Sequence, residues 1–264
     1  MQGHSKGLLD LPRYVVDHYR GSGPRGPFSL AKALFINRIL FRHFPWTITG
    51  KNRVMCPCCG WQGRYFLPYI GKGHVKFNQY CPTCESHARH RGHRILYEKV
   101  LNCKAWKGKL LYFSPEPCIL HYFRSNLSSI QIETADYSAE GVDHRVDILD
   151  IPFRDESYDF ILCHHVIEHV PDDFRAIQEL KRILKTGGEA ILSVPMDTNR
   201  GFTIEWGRPN PLFDDHYYDY GMDFRERLSK AFPTAEEFAF SKIFTDEQRR
   251  QHGIDDSIVY VCRR

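Results

Sequence analysis

This chain lacks the features that mark membrane and secreted proteins. None of its apolar runs approaches the ~20 residues needed to cross a bilayer. The first residues do not follow the basic, apolar and small-residue order of a secretory signal. The nine cysteines are an odd number, which argues against a disulfide framework. We therefore expect a cytoplasmic protein that uses its cysteines in another way.

Internal repeats, low-complexity tracts and one common cofactor motif are also missing. No Gly-x-Gly-x-x-Gly sequence follows a predicted strand, which argues against a nicotinamide-dependent dehydrogenase. The 264 residues suit one large domain, or a medium domain with a small one attached. Apolar residues make up 42% of the chain, which is enough for a core.

Positive charge is concentrated in the first part of the chain. Residues 1–109 carry 19 Lys and Arg against 4 Asp and Glu, whereas residues 110–264 carry 17 against 28. Such a basic segment can attract nucleic acid, a phosphorylated substrate or an anionic membrane. Alternatively, it packs against the acidic remainder, and the sequence leaves these alternatives open.

Residues 1–50 are predicted to be a helical and basic lead-in. Within this segment, apolar residues recur at roughly helical spacing over residues 28–46, with basic residues between them. A helix of this type can lie on a membrane surface or bind a partner. It can equally pack on its own domain, so membrane contact through residues 28–46 is one of two alternatives.

Two Cys-x-x-Cys pairs, 21 residues apart, predict a metal site. The pairs are Cys56 with Cys59 and Cys81 with Cys84. Each pair can direct two thiolates at one ion, and together they complete the four-thiolate shell of a structural zinc site. Such a shell has no open position, so the zinc would fold the module and take no part in chemistry. We expect residues 51–93 to form a zinc-ribbon-like module.

Other ligand sets for this module stay open. Cys58 competes with its neighbours for the ion, and a histidine can replace one thiolate. A redox dithiol is the weaker alternative, because one pair would be enough for it. The histidines that follow the second pair are His87, His90 and His93.

The remainder of the chain alternates between predicted strands and helices. A linker helix is expected over residues 94–108 and a single α/β domain over residues 109–264. The predicted strands lie near 109–113, 130–135, 145–148, 158–163, 189–194 and 257–262, and the predicted helices near 117–126, 171–185 and 222–231.

Residues 147–196 carry the most informative pattern in the chain. They alternate strand, turn, helix, turn and strand, with polar residues gathered where strands end. In an open α/β sheet, those strand ends form the ligand crevice. The stretch resembles the central part of class I methyltransferases that depend on S-adenosylmethionine (SAM). The resemblance covers about residues 109–264 and implies a Rossmann-like, doubly wound, mostly parallel seven-stranded sheet with a small N-terminal zinc-ribbon module.

The resemblance also implies which residues bind SAM. Asp136 ends the second strand and matches the acid that accepts the ribose hydroxyls, although a solvated loop acid is the alternative. Asp147 and Ile148 take the positions that border the adenine. Cys163 and His164, at the end of a strongly apolar strand, are expected to face the same crevice.

The loop after the first strand departs from the family pattern. Methyltransferases usually have a glycine-rich loop there, which lets the backbone approach the cofactor. Here Ser114-Pro-Glu116-Pro contains no glycine. This resembles a less common branch of the family that carries an N-terminal double Cys-x-x-Cys module. In that branch Ser114 and Glu116 would contact the cofactor, with Glu116 on the methionine ammonium.

Three residues are candidates for acid–base catalysis. A later motif of the same branch resembles Asp215-His216, which would act as a pair beside the crevice. His165 is a rival base, since it follows the fourth strand. The alternative for Asp215 and His216 is a structural loop held by aromatic packing.

One competing motif points to a different enzyme class. Residues 165–169 match the His-x-x-Glu-His pattern of inverted zinc peptidases. That pattern needs both histidines on one continuous helix. Pro171 and the preceding strand leave little room for such a helix, which argues against a peptidase.

The predicted function is therefore methyl transfer from SAM to an oxygen or nitrogen atom. A small-molecule or glycan-like acceptor is favoured by the aromatic residues of the second half. The alternatives are an RNA or tRNA methyltransferase that uses the basic zinc module, and a non-catalytic protein of methyltransferase fold that binds a partner. The sequence does not determine the oligomeric state.

Overall fold

A seven-stranded sheet forms the centre of the molecule. The computed structural model describes residues 25–36, 53–70 and 75–264. Five parallel strands are followed at one edge by an antiparallel pair, in the order β12-β13-β9-β8-β5-β6-β7. These strands are β5 (Gly108–Phe113), β6 (Ile130–Asp136), β7 (His144–Arg145), β8 (Tyr158–His164), β9 (Leu184–Ser193), β12 (Thr234–Ala239) and β13 (Ile258–Arg263).

The order of these strands fits the predicted Rossmann-like class. The chain order reverses between β5 and β8, and ligands bind at such a switch point, beyond the carboxyl ends of the strands. The central strands are buried on both faces, which explains the near-continuous apolar run in β8. The fold class expected from the sequence is confirmed.

Helices cover both faces of the sheet. On one face lie α4 (Asp173–Ile183) and α5 (Phe224–Ser229), and on the other lies α3 (Pro117–Asn126). Proline at the first position of α3 suits a helix start, because its missing N–H has no helical partner there. The predicted limits of α3 are confirmed. Helix α4 ends earlier than predicted, because Leu184 already begins β9.

Residues 94–108 begin with helical turns, as expected of a linker helix, and several of their side chains pack on the sheet domain. Helix α2 (Ala88–Ile95) continues into a π-helical turn, Leu96–Val100, and a 3₁₀ turn, Cys103–Ala105. Leu96, Tyr97 and Trp106 are buried against α3 and the sheet. The segment therefore forms a layer of the α/β domain.

The N-terminal module consists of short hairpins and one helix. Strands β1 (Val54–Met55) and β2 (Gln62–Gly63) pair with each other, as do β3 (Leu67–Ile70) and β4 (Val75–Tyr80). Helix α1 (Arg25–Phe35) packs on the second hairpin through Leu30 and Leu34. Part of the predicted 28–46 helix is thus present and packed on its own module, while residues 37–50 lie outside the described residues.

Arg91 fixes the module to the sheet domain. Its buried guanidinium donates hydrogen bonds to five carbonyl oxygens at 2.6–3.2 Å and stacks on the ring of Phe66. Two of these carbonyls belong to the sheet domain, on His252 and Gly253. The His252 ring also contacts the carbonyl of Met55 at 2.9 Å. The described part of the basic segment is therefore fixed to the sheet domain at Arg91 and Met55.

The second half contains elements that the periodicity did not predict. They are the β10 (Ile204–Asn210) and β11 (His216–Asp219) hairpin, β12, and the short helices α6 (Phe240–Ile243) and α7 (Asp246–His252). Among the described residues, no helix has both the length and the apolar character required to cross a membrane.

Candidate functional site

A cavity of about 420 Å³ lies beyond the carboxyl ends of β5, β6 and β7. Asp136, Asp147 and Ile148 line it, together with Ser114 and His165. The two carboxylates thus lie on the same side of the sheet, as the sequence predicted. The rest of the lining is mostly apolar and comprises Phe113, Tyr137, Val146, Leu149, Val166, His169, Val170 and Pro171.

Asp136 is held firmly by hydrogen bonds. Its Oδ1 accepts from the backbone N–H groups of Ser138 and Ala139 at 2.8 and 2.7 Å, and its Oδ2 accepts from Ser114 Oγ at 2.6 Å. Desolvation raises the pKa of Asp136, but these hydrogen bonds outweigh it and leave the pKa below its ordinary value. Asp136 is therefore an ionised acceptor, with one lone pair left on Oδ2.

Asp147 and Ile148 lie in the turn that follows β7. The strand is shorter than predicted, because it ends at Arg145. Asp147 Oδ1 accepts from the N–H of Leu149 at 2.9 Å, which orients the exposed carboxylate. Ile148 is buried and contributes an apolar wall. A carboxylate beside an apolar wall suits the polar edge and the flat face of a nucleobase.

Ser114 takes the place of a loop glycine. Its φ is +42°, in the left-handed region that favours glycine. The strain is offset by hydrogen bonds, because Ser114 N donates to the Ala135 carbonyl at 2.8 Å and Ser114 Oγ donates to Asp136. The glycine-free loop thus makes the sharp turn after β5 without closing the cavity.

Glu116 does not line the cofactor cavity, which differs from the expected contact with methionine. Its buried carboxylate lies 3.8 Å from His90 Nε2 and 3.9 Å from His93 Nδ1, both on α2. Burial raises the pKa of Glu116 to about 7. The proline after Glu116 starts α3, and the packing of α2 against α3 turns the side chain toward the N-terminal module.

Cys163 and His164 are also absent from the lining of the cavity. Cys163 is fully buried in the core on one face of the sheet. His164 is buried on the other face, 2.5 Å from Tyr97 Oη and 2.7 Å from Ser193 Oγ. Successive side chains of a strand alternate between faces, and helices cover both, so these two positions are core.

His165 stands at the boundary between two cavities. It follows β8 with a φ of +54°, and its N–H donates to the Ser193 carbonyl at 2.9 Å. His165 and His169 line both the 420 Å³ cavity and a larger cleft of about 770 Å³. Desolvation and the charge of Arg89 keep the pKa of His165 well below its ordinary value. The ring is therefore neutral near pH 7 and able to accept a proton.

The larger cleft is lined by both parts of the chain. The N-terminal module contributes Lys76, Tyr80, His87 and Arg89. The sequence analysis assigned none of them to this cleft, and it named His87 only as an alternative zinc ligand. The sheet domain contributes polar residues from the segments after β8 and β9, from the β10–β11 hairpin and from the segment before β13, namely His165, Glu168, His169, Thr198, Asp214, His216, Asp219, Asp255, Asp256 and Ser257. No local signal marks Lys76 or Arg89, because only the docking of the module brings them here.

The Asp215–His216 pair is divided by the structure. His216 begins β11 and lines the cleft, whereas Asp215 lies in an exposed turn outside the lining, with a φ of +63°. A ligand atom of His216 lies within 4.8 Å of those of Glu168 and His169. His216 thus lies beside Glu168 and His169 in the cleft, whereas Asp215 is not among the residues that line it.

Four thiolates meet in the N-terminal module. The Sγ atoms of Cys56 and Cys84 are 3.7 Å apart, those of Cys59 and Cys81 are 3.6 Å apart, and all four lie within 4.8 Å of one another. A tetrahedral zinc ion with bonds of about 2.3 Å requires sulfur separations of about 3.8 Å. The geometry fits a four-thiolate zinc shell.

The alternative ligands lie outside this cluster. Cys58 Sγ points to the carbonyl of His90, at 3.9 Å. His87 packs on Tyr80, with ring centroids 4.3 Å apart, and His90 and His93 face Glu116. None of them belongs to the four-sulfur group among the described residues.

Residues 108–192 match the family model described as a methyltransferase domain. The matched stretch runs from β5 to β9 and includes Ser114, Asp136, Asp147 and His165. The sheet thus contains a stretch similar to a methyltransferase domain, in agreement with the resemblance seen in the sequence. The N-terminal module and the β10–β11 hairpin, which lines the larger cleft, lie outside the match.

Curated relatives align with short stretches of the chain. A tRNA U34 carboxymethyltransferase of Nautilia profundicola is 42% identical over 70 residues, 26% of this chain and 20% of that protein. A sarcosine/dimethylglycine N-methyltransferase of Halorhodospira halochloris is 32% identical over 65 residues, 23% of each. The chain spans between a fifth and a quarter of the length of the curated relatives it matches first.

A similar solved structure is a chain from the Haloferax volcanii complex that contains the Trm112 methyltransferase activator. It is 15% identical, has a TM-score of 0.49, and covers 66% of this chain and 90% of that one.

Proposed function

We propose that this protein is a SAM-dependent methyltransferase that acts on an oxygen or nitrogen atom of a small polar or glycan-like acceptor. The observation that carries this proposal is the wall formed by His165 and His169. It separates a cavity with two strand-end carboxylates from a larger polar cleft. Donor and acceptor must meet in line for methyl transfer, and two adjoining cavities provide that arrangement.

The smaller cavity suits a nucleoside. Its volume of about 420 Å³ lies within the range of roughly 300–1,000 Å³ that is usual for small-molecule sites. Asp136 has a lone pair for a ribose hydroxyl, and Asp147 and Ile148 would border the adenine. Bound SAM would supply a methyl group on a sulfonium, which is already activated for transfer.

His165 is proposed as the general base. It lines both cavities, and its ring is neutral near pH 7, so a nitrogen lone pair is available to the acceptor's proton. His216 is the second candidate, because it also lines the cleft. Of these two candidate bases, His165 lines both cavities whereas His216 lines the larger cleft, which favours His165.

The charge of the cleft supports a small acceptor. Among the described residues, the cleft is lined by two cationic side chains, Lys76 and Arg89, and by five carboxyl groups, on Glu168, Asp214, Asp219, Asp255 and Asp256. Asp219 and Asp256 are paired with Arg200 and Arg249. Nucleic acids bind chiefly through positive charge placed against their phosphates. A cleft rich in carboxyl groups disfavours an RNA backbone and suits an acceptor with hydroxyl or amino groups. Arg89 and Lys76 would then pair with an acidic group on that acceptor.

The N-terminal module is proposed to hold a structural zinc ion on Cys56, Cys59, Cys81 and Cys84. This supports placement in the branch of methyltransferases with an N-terminal double Cys-x-x-Cys module. Residues 51–93 would form the zinc module. Because residues 96–106 pack in the core of the sheet domain, the catalytic unit would include them together with residues 109–264.

A thermal-shift measurement tests the cofactor proposal. Millimolar SAM should raise the melting temperature of the purified protein, and Asp136→Ala should remove that rise. Asp150→Ala is the matched control, since Asp150 is exposed and lies outside the cavity lining. If SAM gave no shift with the unmodified protein, the non-catalytic alternative would replace this proposal.

The acceptor class needs a separate experiment. Binding of RNA, measured on filters over a range of salt concentrations, should be weak and should not compete with SAM. Tight, salt-dependent binding that Lys76→Ala and Arg89→Ala reduce would instead favour an RNA methyltransferase.

A further inference from the structure

Glu168, His169 and His216 form a compact group on the wall of the larger cleft. One ligand atom from each lies within 4.8 Å of the others. Glu168 and His169 are consecutive in a 3₁₀ turn, Ile167–His169, and His216 comes from β11, which packs against that turn. All three residues line the cleft, and His169 also lines the cofactor cavity.

Glu168 is buried without a hydrogen-bond partner among the described residues. It is 0% exposed, and neither carboxylate oxygen accepts a hydrogen bond. The nearest basic group is His165 Nδ1, 3.5 Å from Oε1. A buried polar group without a partner costs free energy, so an unpaired carboxylate at a polar cleft indicates a missing positive ligand.

The two histidines complete a donor set for a metal. Their rings are 4.7 Å apart at an interplanar angle of 85°. Two imidazoles and one carboxylate are the protein ligands of catalytic zinc sites, which keep a further position open, and of facial iron sites. Metal bonds of about 2.0–2.2 Å place ligand atoms roughly 3–4 Å apart. Side-chain rotations that move each ligand atom by about 1 Å would therefore allow all three to coordinate one ion.

We propose that Glu168, His169 and His216 bind a divalent transition-metal ion whose open coordination positions face the acceptor cleft. This site differs from the four-thiolate cluster in its ligands and in its access to substrate. It also explains why Glu168 is buried without a hydrogen-bond partner among the described residues. The peptidase alternative stays excluded, because Glu168 and His169 lie on a 3₁₀ turn and His165 precedes it with a left-handed φ.

The ion would bind an acceptor hydroxyl, and this role rests on the proposed methyl transfer, although metal binding itself does not. A metal lowers the pKa of a bound water from 15.7 to about 7, and a bound hydroxyl is activated in the same way. The acceptor O–H gives its proton to His165. The oxygen then forms a bond to the methyl carbon as the C–S bond breaks, and sulfur keeps the electron pair. This role applies to an oxygen acceptor, one of the two acceptor atoms proposed above.

The test is a titration of the zinc-loaded, full-length protein with Co²⁺. Zinc occupies the four thiolates, so added Co²⁺ should bind once more per chain and give weak visible absorption without thiolate charge-transfer bands. Calorimetry should give the same stoichiometry. Titrations with Mn²⁺ and further Zn²⁺ compare the ions at the same site, with Zn²⁺ expected to bind more tightly than Mn²⁺.

Variants locate the second ion. Glu168→Gln and His216→Ala should weaken Co²⁺ binding at least tenfold. Glu140→Gln and His121→Ala change matched residues on the exposed surface and should leave it unchanged. Far-ultraviolet circular dichroism checks folding, and Glu168→Gln keeps the shape of the side chain.

Two results would overturn the proposal: the unmodified protein binds no second ion, or Glu168→Gln binds it as tightly as the unmodified protein does. Glu168 would then be buried without a cation because its carboxyl group is protonated and neutral. A thermal shift with SAM is measured in parallel. If the second ion binds but SAM does not, the metal site stands and the proposed methyl transfer fails.

Discussion

His164 and His165 are neighbours in the chain but serve different parts of the molecule. His164 is buried at the end of β8, where it contacts Tyr97 and Ser193. His165 leaves the strand with a left-handed φ and lines both cavities. One peptide bond thus separates a core residue from the candidate base.

Substitutions at these two histidines should have different effects. His165→Gln should lower kcat about 10²–10⁴-fold, because the proton acceptor is lost, with little change in the dissociation constant of SAM. His164→Ala should lower stability by about 2–4 kcal/mol, because it leaves a cavity and two hydroxyl groups without their partner. Steady-state kinetics and urea unfolding separate the two. A loss of stability in His165→Gln equal to that in His164→Ala would contradict this division of roles.

Glu116 should make stability fall as pH rises. Its pKa is about 7 in the folded protein, against an ordinary value of 4.5. Between these values the unfolded chain ionises Glu116 while the fold keeps it neutral, so stability declines by about 3 kcal/mol and then levels off above pH 7. Glu116→Gln should lack this decline and should be more stable than the unmodified protein at pH 8.

The measurement for Glu116 is urea unfolding between pH 5.5 and pH 8. The difference between Glu116→Gln and the unmodified protein is compared at each pH, which cancels the contribution of zinc loss. Glu140→Gln serves as the exposed control. A difference that stays constant with pH would show that the carboxylate is stabilised by His90 and His93 after all.

Arg91 should be essential for docking of the N-terminal module. It donates to five carbonyl oxygens, and charge-assisted hydrogen bonds each contribute about 1.5–3 kcal/mol. Arg91→Lys should still cost about 3 kcal/mol or more, because an ammonium group lacks the planar fork that reaches all of them. Thermal unfolding checks this, with Arg64→Lys as the exposed control. Equal stability of both variants would refute the docking role.

Zinc removal should affect the cleft as well as the module. Cys81→Ser should lose the zinc ion and lower the melting temperature by about 10 °C or more, because metal binding is coupled to folding. The same variant should weaken acceptor binding, since Lys76 and Arg89 would no longer be held on the cleft wall. Elemental analysis and calorimetry test both points. Cys58→Ser should retain zinc, and loss of zinc from that control would reassign the ligands.

Local patterns in the sequence determined much of the fold. The apolar strands β5, β6, β8 and β13 and the helix α3 follow from hydrophobic runs and a proline start. The carboxylates of Asp136 and Asp147 at strand ends indicated where the proposed cofactor site lies. The spacing of the two cysteine pairs indicated the proposed zinc site. These signals act over a few residues, so they can be recognised without knowing what packs where.

Only the tertiary structure decided which side chains face the cavities. It turned Glu116 toward His90 and His93, buried Cys163 and His164, and brought Lys76 and Arg89 to the cleft. It also joined Glu168 to His216 across a long stretch of chain. The direction of a side chain at a strand end depends on which distant elements cover each face of the sheet. That packing is a property of the whole fold, and no local periodicity or spacing records it.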